Sequence, residues 1–147
     1  MSSSNPPSEY AGDLTSDAAW ALLNDNPKAQ LVDVRTTAEW SFVGLPDLSS
    51  VGRDVHCVEW QSFPTMAVNP DFVGQTKAQL AGAVADTPVL FLCRSGARSR
   101  AAAIAMTRAG FSRAYNIAGG FEGDMDQQRH RGQRNGWKAS GLPWKQS

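Results

Sequence analysis

The chain has little cysteine. Of 147 residues, only Cys57 and Cys93 carry a thiol. With no CxxC pair, they argue against the disulfide framework of a small secreted scaffold. Two cysteines and two histidines, none closely grouped, argue against a structural zinc site. Net charge is also lacking: 14 basic residues balance 14 acidic ones. That balance gives no global attraction to nucleic acid or to an anionic membrane. No apolar run approaches the roughly 20 residues needed to span a bilayer. The first eight residues are polar and rich in Ser and Pro, without the basic-then-apolar layout of a signal peptide. The expectation is a soluble, cytoplasmic protein with reduced thiols.

What is present fits one domain with one sizeable core: 41% of the residues are apolar, an ordinary fraction for such a chain. Residues 1–8 read as a disordered tail, 9–123 as the domain, and 124–147 as an extension packed on it. Short apolar runs at 10–13, 30–34, 54–59, 87–92 and 114–117 read as strands. Helices are expected between them. The first is capped by Thr15 or Ser16 and the second begins at Thr36 or Thr37. Asn69 and Pro70 open a third, reaching about Ala81, and a fourth runs over 99–108. Residues 44–52 read as loop. Strands alternating with helices predict an α/β fold: a single domain with a mostly parallel sheet and helices on both faces.

The chemistry concentrates in residues 89–100, VLFLCRSGARSR. Cys93 follows a buried strand at its carboxyl end, where open α/β sheets bind ligands. The loop Arg94-Ser95-Gly96-Ala97-Arg98 leads directly into a helix at Ser99. Loop amides, the helix amino terminus and two arginines all favour an anion on sulfur. They are expected to lower the Cys93 pKa below the free value of about 8.5. Gly96 permits backbone turns that other residues resist. Such a thiolate can take up a transferred sulfur as a persulfide, or attack a phosphate-like centre. The competing reading, a buried inert cysteine, fits poorly beside two arginines and a glycine. Ser95 is either a contact for the outer sulfur or a turn residue, and Ser99 reads as a helix cap.

The heptad Cys93 to Ser99 resembles the active-site loop of rhodanese-like domains. Leu31-Val32-Asp33-Val34-Arg35, with Glu39 and Trp40, is similar to that family's early DVR…E(Y/W) stretch. Gly119-Gly120-Phe121 is similar to its late GG(W/F) signature. The resemblance covers residues 10–121 and implies a five-stranded parallel sheet and a persulfide-forming Cys93. It implies that the loop from Arg94 to Ser99 binds an anionic donor such as thiosulfate, with no cofactor and no metal. It gives Asp33 and Arg35 structural roles, Asp33 accepting hydrogen bonds from the loop and Arg35 pairing with Glu39. The family's His-aliphatic-Pro-Gly-Ala signature is replaced here by Gly44-Leu45-Pro46-Asp47-Leu48.

Three functions stand as alternatives. The first is a sulfurtransferase passing sulfur to a thiophilic acceptor. The second is a sulfur relay or binding module without turnover, whose partner is a sulfur-accepting protein. The third is a phosphatase or arsenate reductase on the same fold. Related phosphatases place five residues between Cys and Arg; here four separate Cys93 from Arg98, a shorter loop that favours sulfur over the larger phosphate. Cys57 reads as core. Trp60, Phe63 and Phe121 either wall the site or simply pack. The cluster Arg129, His130, Arg131 and Arg134 reads as a solvated loop or as a steering patch for an anionic donor. Trp137, Leu142, Pro143 and Trp144 are expected to fold the tail back onto the domain.

Overall fold

In a computed structural model, residues 9–62, 65–125, 127–131 and 135–146 are described. The expected tail over 1–8, Phe63 and Arg134 lie outside them. Among the described residues, no helix is long and apolar enough to cross a membrane.

The central sheet has five parallel strands. They are β1 (Gly12–Leu14), β2 (Gln30–Asp33), β4 (His56–Cys57), β7 (Val89–Leu92) and β8 (Ala114–Ile117), in the order β1-β8-β7-β2-β4. The helices are α1 (Ser16–Asp25), α2 (Thr37–Phe42), α3 (Phe72–Gln79) and α4 (Ala97–Arg108). Two short antiparallel pairs complete the fold. One joins β3 (Leu45–Pro46) to β9 (Trp144–Lys145), the other β5 (Gln61–Ser62) to β6 (Ala67–Val68). The domain is single and α/β, as the alternation of strands and helices predicts.

A parallel strand with helices over both faces must be apolar throughout, and all four residues of β7 are buried. Alternation divides them. Leu90 and Leu92 face a core shared with Leu31, Ile117, Phe121 and Trp137. Val89, Phe91 and Cys93 face the opposite core, with Ala102, Ala103 and Met106 of α4. The chain moves outward from β2 to β4, then reverses from β7 to β8. That reversal opens the crevice at the carboxyl ends of β2 and β7, where Asp33 and Leu92 are register partners.

Several boundaries differ from expectation. The segment 44–52 is not all loop. Leu45 and Pro46 pair with Trp144 and Lys145, a long-range contact with no local signal, and Ser49–Val51 form a 3-10 turn. The third helix begins at Phe72, because Asn69 closes a turn instead: its Oδ1 accepts from the Asp71 N–H at 3.0 Å. The fourth helix begins two residues early, at Ala97, because Gly96 at φ 121° takes the capping position. In the tail, Trp144, expected to pack back with Trp137, is 41% exposed. Trp137 is fully buried, and its indole N–H donates to the Pro143 carbonyl at 2.7 Å.

Candidate active site

Cys93 stands immediately after β7 and is 1% exposed. Its Sγ accepts from the Gly96 N–H at 3.1 Å and lies 3.2 Å from the Ser99 Oγ. Of the loop amides, Gly96 is the donor to sulfur. Its positive φ of 121° turns that N–H back over the strand end, a conformation that glycine adopts at little cost. Ser99 is not the helix cap. It lies in the first turn of α4, wholly buried, with its hydroxyl 2.6 Å from Asn116 Oδ1 and 3.2 Å from both the sulfur and the Gly96 carbonyl.

The loop backbone is gripped from behind by the turn after β8. The Phe121 N–H donates to the Cys93 carbonyl at 2.8 Å. The Glu122 and Gly123 N–H groups both donate to the Arg94 carbonyl at 3.0 Å. Gly120, at φ 62°, allows this approach: a Cβ there would stand 2.5 Å from the Cys93 carbonyl oxygen.

The arginines separate by role. Arg94 is exposed. Arg98 reaches back to Glu39 in a two-pronged pair of 2.8 and 3.0 Å, a geometry suited to guanidinium and carboxylate. Burial of the Glu39 carboxyl pushes its pKa up. Hydrogen bonds and charge from Arg98, with bonds from Thr36, outweigh that and leave it below its ordinary value. Glu39 also closes the capping box of α2 through Thr36.

The expected pairing of Arg35 with Glu39 is therefore incorrect. Arg35 is fully buried and pairs with Asp33. Its Nη2 donates to Asp33 Oδ2 at 2.7 Å, its Nε to Oδ1 at 3.0 Å, and its Nη2 also to the Gly44 carbonyl at 2.6 Å. Residues i and i+2 at a strand end share a face, so Arg35 reaches Asp33, and Glu39 pairs with Arg98. Asp33 likewise accepts from Arg35, through its backbone N–H at 3.1 Å as well as its side chain; this is its role in place of the expected bonds from the cysteine loop. The Arg35 guanidinium stacks 4.3 Å from the centre of the Phe121 ring.

Trp60 packs edge-on against Phe72, ring centres 5.0 Å apart, and belongs to the core. Arg131 donates to the Gly123 carbonyl at 2.7 Å, so this member of the basic cluster braces the turn behind the loop. Cys57 is half-buried. Burial first, and then the Asp33 charge, push its thiol up to about 12 against the opposing pull of Arg35.

Sequence reasoning missed Asn116. It is a buried polar residue in β8, with Oδ1 2.6 Å from the Ser99 Oγ. An Asn among apolar strand residues was the available signal, since buried amides need partners.

The model of the STR4 middle domain matches residues 11–147. The chain is a rhodanese-like domain of that family. It is 51% identical to Rv0390 from M. tuberculosis, whose crystal structure superposes with a TM-score of 0.85 over 94% of this chain and 99% of the other. It is 37% identical to the uncharacterized protein RC0915 of Rickettsia conorii, covering 89% of this chain and 94% of that one. It is 25% identical to the thiosulfate sulfurtransferase GlpE of Actinobacillus pleuropneumoniae, over 92% of this chain and 94% of the relative. The rhodanese-like domain thus has a sulfurtransferase among its more distant relatives, similar along nearly its whole length.

Proposed function

We propose that this rhodanese-like domain is a sulfurtransferase that takes a sulfane sulfur from thiosulfate, or a similar anionic donor, onto Cys93. The observation that carries the reading is the Cys93 sulfur at the end of β7, facing the Gly96 N–H at 3.1 Å and the Ser99 hydroxyl at 3.2 Å. The Gly96 N–H favours charge on sulfur, and the thiolate is the attacking species. The Cys93 thiolate attacks the outer sulfur of thiosulfate. A bond forms from Sγ to that sulfur, the sulfur–sulfur bond of thiosulfate breaks, and sulfite leaves with the electron pair. The product is Cys93–S–S⁻. A thiophilic acceptor such as cyanide, a thiol or a protein cysteine then takes the outer sulfur and regenerates the thiolate. Gly96 and its neighbours Ser95 and Ala97 line the space for the outer sulfur. Arg94, exposed beside it, draws the anionic donor. No metal or cofactor enters these steps, and the reaction suits the reduced thiols of the cytoplasm.

The test is intact mass after incubation with thiosulfate. The native protein is expected to gain one sulfur, about 32 mass units, and Cys93→Ser none, because only the thiolate attacks. No gain in the native protein overturns the reading for this donor.

A second reading, a relay loaded only when docked on a sulfur-donating protein, is favoured by one pair of observations. Cys93 is 1% exposed and Arg98 is already held by Glu39. A protein persulfide that forms from a donor protein but not from thiosulfate would select it.

A further inference from the structure

Behind Cys93 runs a line of hydrogen bonds that the sulfur-transfer steps do not use. Asp13 and Asn116 are register partners on the adjacent strands β1 and β8. The Asn116 Nδ2 donates to Asp13 Oδ1 at 2.9 Å. Tyr10 donates to the same Asp13 oxygen at 2.9 Å, and Arg100 Nε donates to the Tyr10 hydroxyl at 3.3 Å. On its other side, Asn116 Oδ1 lies 2.6 Å from the Ser99 Oγ, which in turn lies 3.2 Å from the Cys93 Sγ.

The directions in this line are dictated by chemistry. A carboxylate only accepts, so it must face the amide nitrogen of Asn116. The amide oxygen is then turned to Ser99, which has one proton to give. Three acceptors surround it, and Asn116 Oδ1 at 2.6 Å, nearer than the sulfur and the Gly96 carbonyl at 3.2 Å, takes that proton. The Ser99 oxygen is left to face the sulfur with a lone pair, an arrangement that suits a neutral sulfur bearing or lacking a proton. A thiolate needs the opposite: the Ser99 proton turned to Sγ, because an ionised acceptor makes the stronger bond.

We propose that Asp13 and Asn116 are positioning residues that set the direction of the Ser99 hydroxyl and so oppose ionisation of Cys93. The proposal rests on Cys93 being the reactive thiol. In the sulfur-transfer cycle it assigns the hydroxyl two settings. It turns to Sγ while Cys93 is a thiolate, and returns to Asn116 once the negative charge has moved to the outer sulfur of the persulfide. The line thereby favours the loaded state over the free thiolate.

The experiment is the pH dependence of Cys93 alkylation by iodoacetamide, read on the Cys93 peptide by mass. Asn116→Leu removes the nearest competing acceptor, leaves the Gly96 carbonyl at 3.2 Å, and keeps the Asp13 charge. Its midpoint is expected about one pH unit below native, the size of one charge-assisted hydrogen bond. Asp13→Asn, at an exposed position, lets the Asn116 amide turn over and is expected to move the midpoint the same way by less. In a Ser99→Ala background the Asn116→Leu shift should vanish, while any pure charge effect of Asp13→Asn persists. A midpoint unchanged or raised in both variants overturns the proposal. So does a shift of equal size with and without Ser99. Should Asn116→Leu not fold, Asp13→Asn with and without Ser99 decides alone. Alkylation needs no sulfur donor. An absent mass gain with thiosulfate therefore defeats the proposed activity and leaves this result standing, and the reverse also holds.

Discussion

The two cysteines stand on either side of β2 in one sheet, Cys57 at the end of β4 and Cys93 just past the end of β7, yet their surroundings are opposite. Cys93 faces an amide N–H and a hydroxyl at the start of a twelve-residue helix. Cys57 faces the carboxylate of Asp33, its register partner, and burial with that charge holds its thiol near 12. Both come after apolar or β-forming residues in sequence. The difference in surroundings therefore comes from the segment that leaves the strand. At Cys93 it is a glycine turn and a helix. At Cys57 it is a chain that continues extended past Val58 and Trp60, whose N–H groups donate to the Asp33 and Val34 carbonyls.

The comparison is broken most directly by exchanging each thiol. Cys57→Ser should leave sulfur loading on Cys93 within about twofold of native, and cost no more than about 1 kcal/mol of stability, since Cys57 is half-buried. Loss of loading in Cys57→Ser, measured by intact mass, would make the second thiol a participant. The largest effect is expected at the backbone grip on the Cys93 loop. Gly120→Ala drives a Cβ into the Cys93 and Arg94 carbonyls at a positive φ. It is expected to cost about 2–3 kcal/mol in urea unfolding and to reduce loading many-fold.

A smaller effect concerns the paired arginine. Glu39→Gln frees Arg98 beside the sulfur and is expected to lower the KM for thiosulfate several-fold. It also has a pH signature. The Glu39 carboxyl titrates below its ordinary 4.5 in the folded chain. Its contribution to stability is present above 4.5 and is lost as pH falls through the lower folded value. Urea midpoints should therefore fall less steeply with acid in Glu39→Gln than in native protein. Smallest is Arg94→Ala, at an exposed position. It should weaken thiosulfate use a few-fold more than use of a neutral persulfide donor, and the gap should shrink with salt.

The parallel sheet was legible because it rests on local patterns. Val89 to Leu92 is a run with one meaning in an α/β chain, and the glycines after it mark the turn. Cys93 was legible as a candidate for the same reason. The rest depends on contacts far apart in sequence. Glu39 meets Arg98 across 59 positions and Asn116 meets Asp13 across 103, and neither pairing leaves a periodic trace. The Asp33–Arg35 pair is only two residues long and was readable from strand alternation. The resemblance to the family's early stretch pointed to Glu39 instead. The β3–β9 pairing was unreadable for a different reason: two-residue strands carry too little pattern.

The buried tryptophan of the tail has a mechanical meaning. The Trp137 N–H donates to the Gly120 carbonyl, and the Lys138 N–H to that of Phe121. Phe121 in turn holds the carbonyl of Cys93. Two links thus connect the last stretch of the chain to the Cys93 carbonyl, like a handle joined to a latch. Whatever shifts that stretch pulls on the same backbone turn that holds the Cys93 carbonyl.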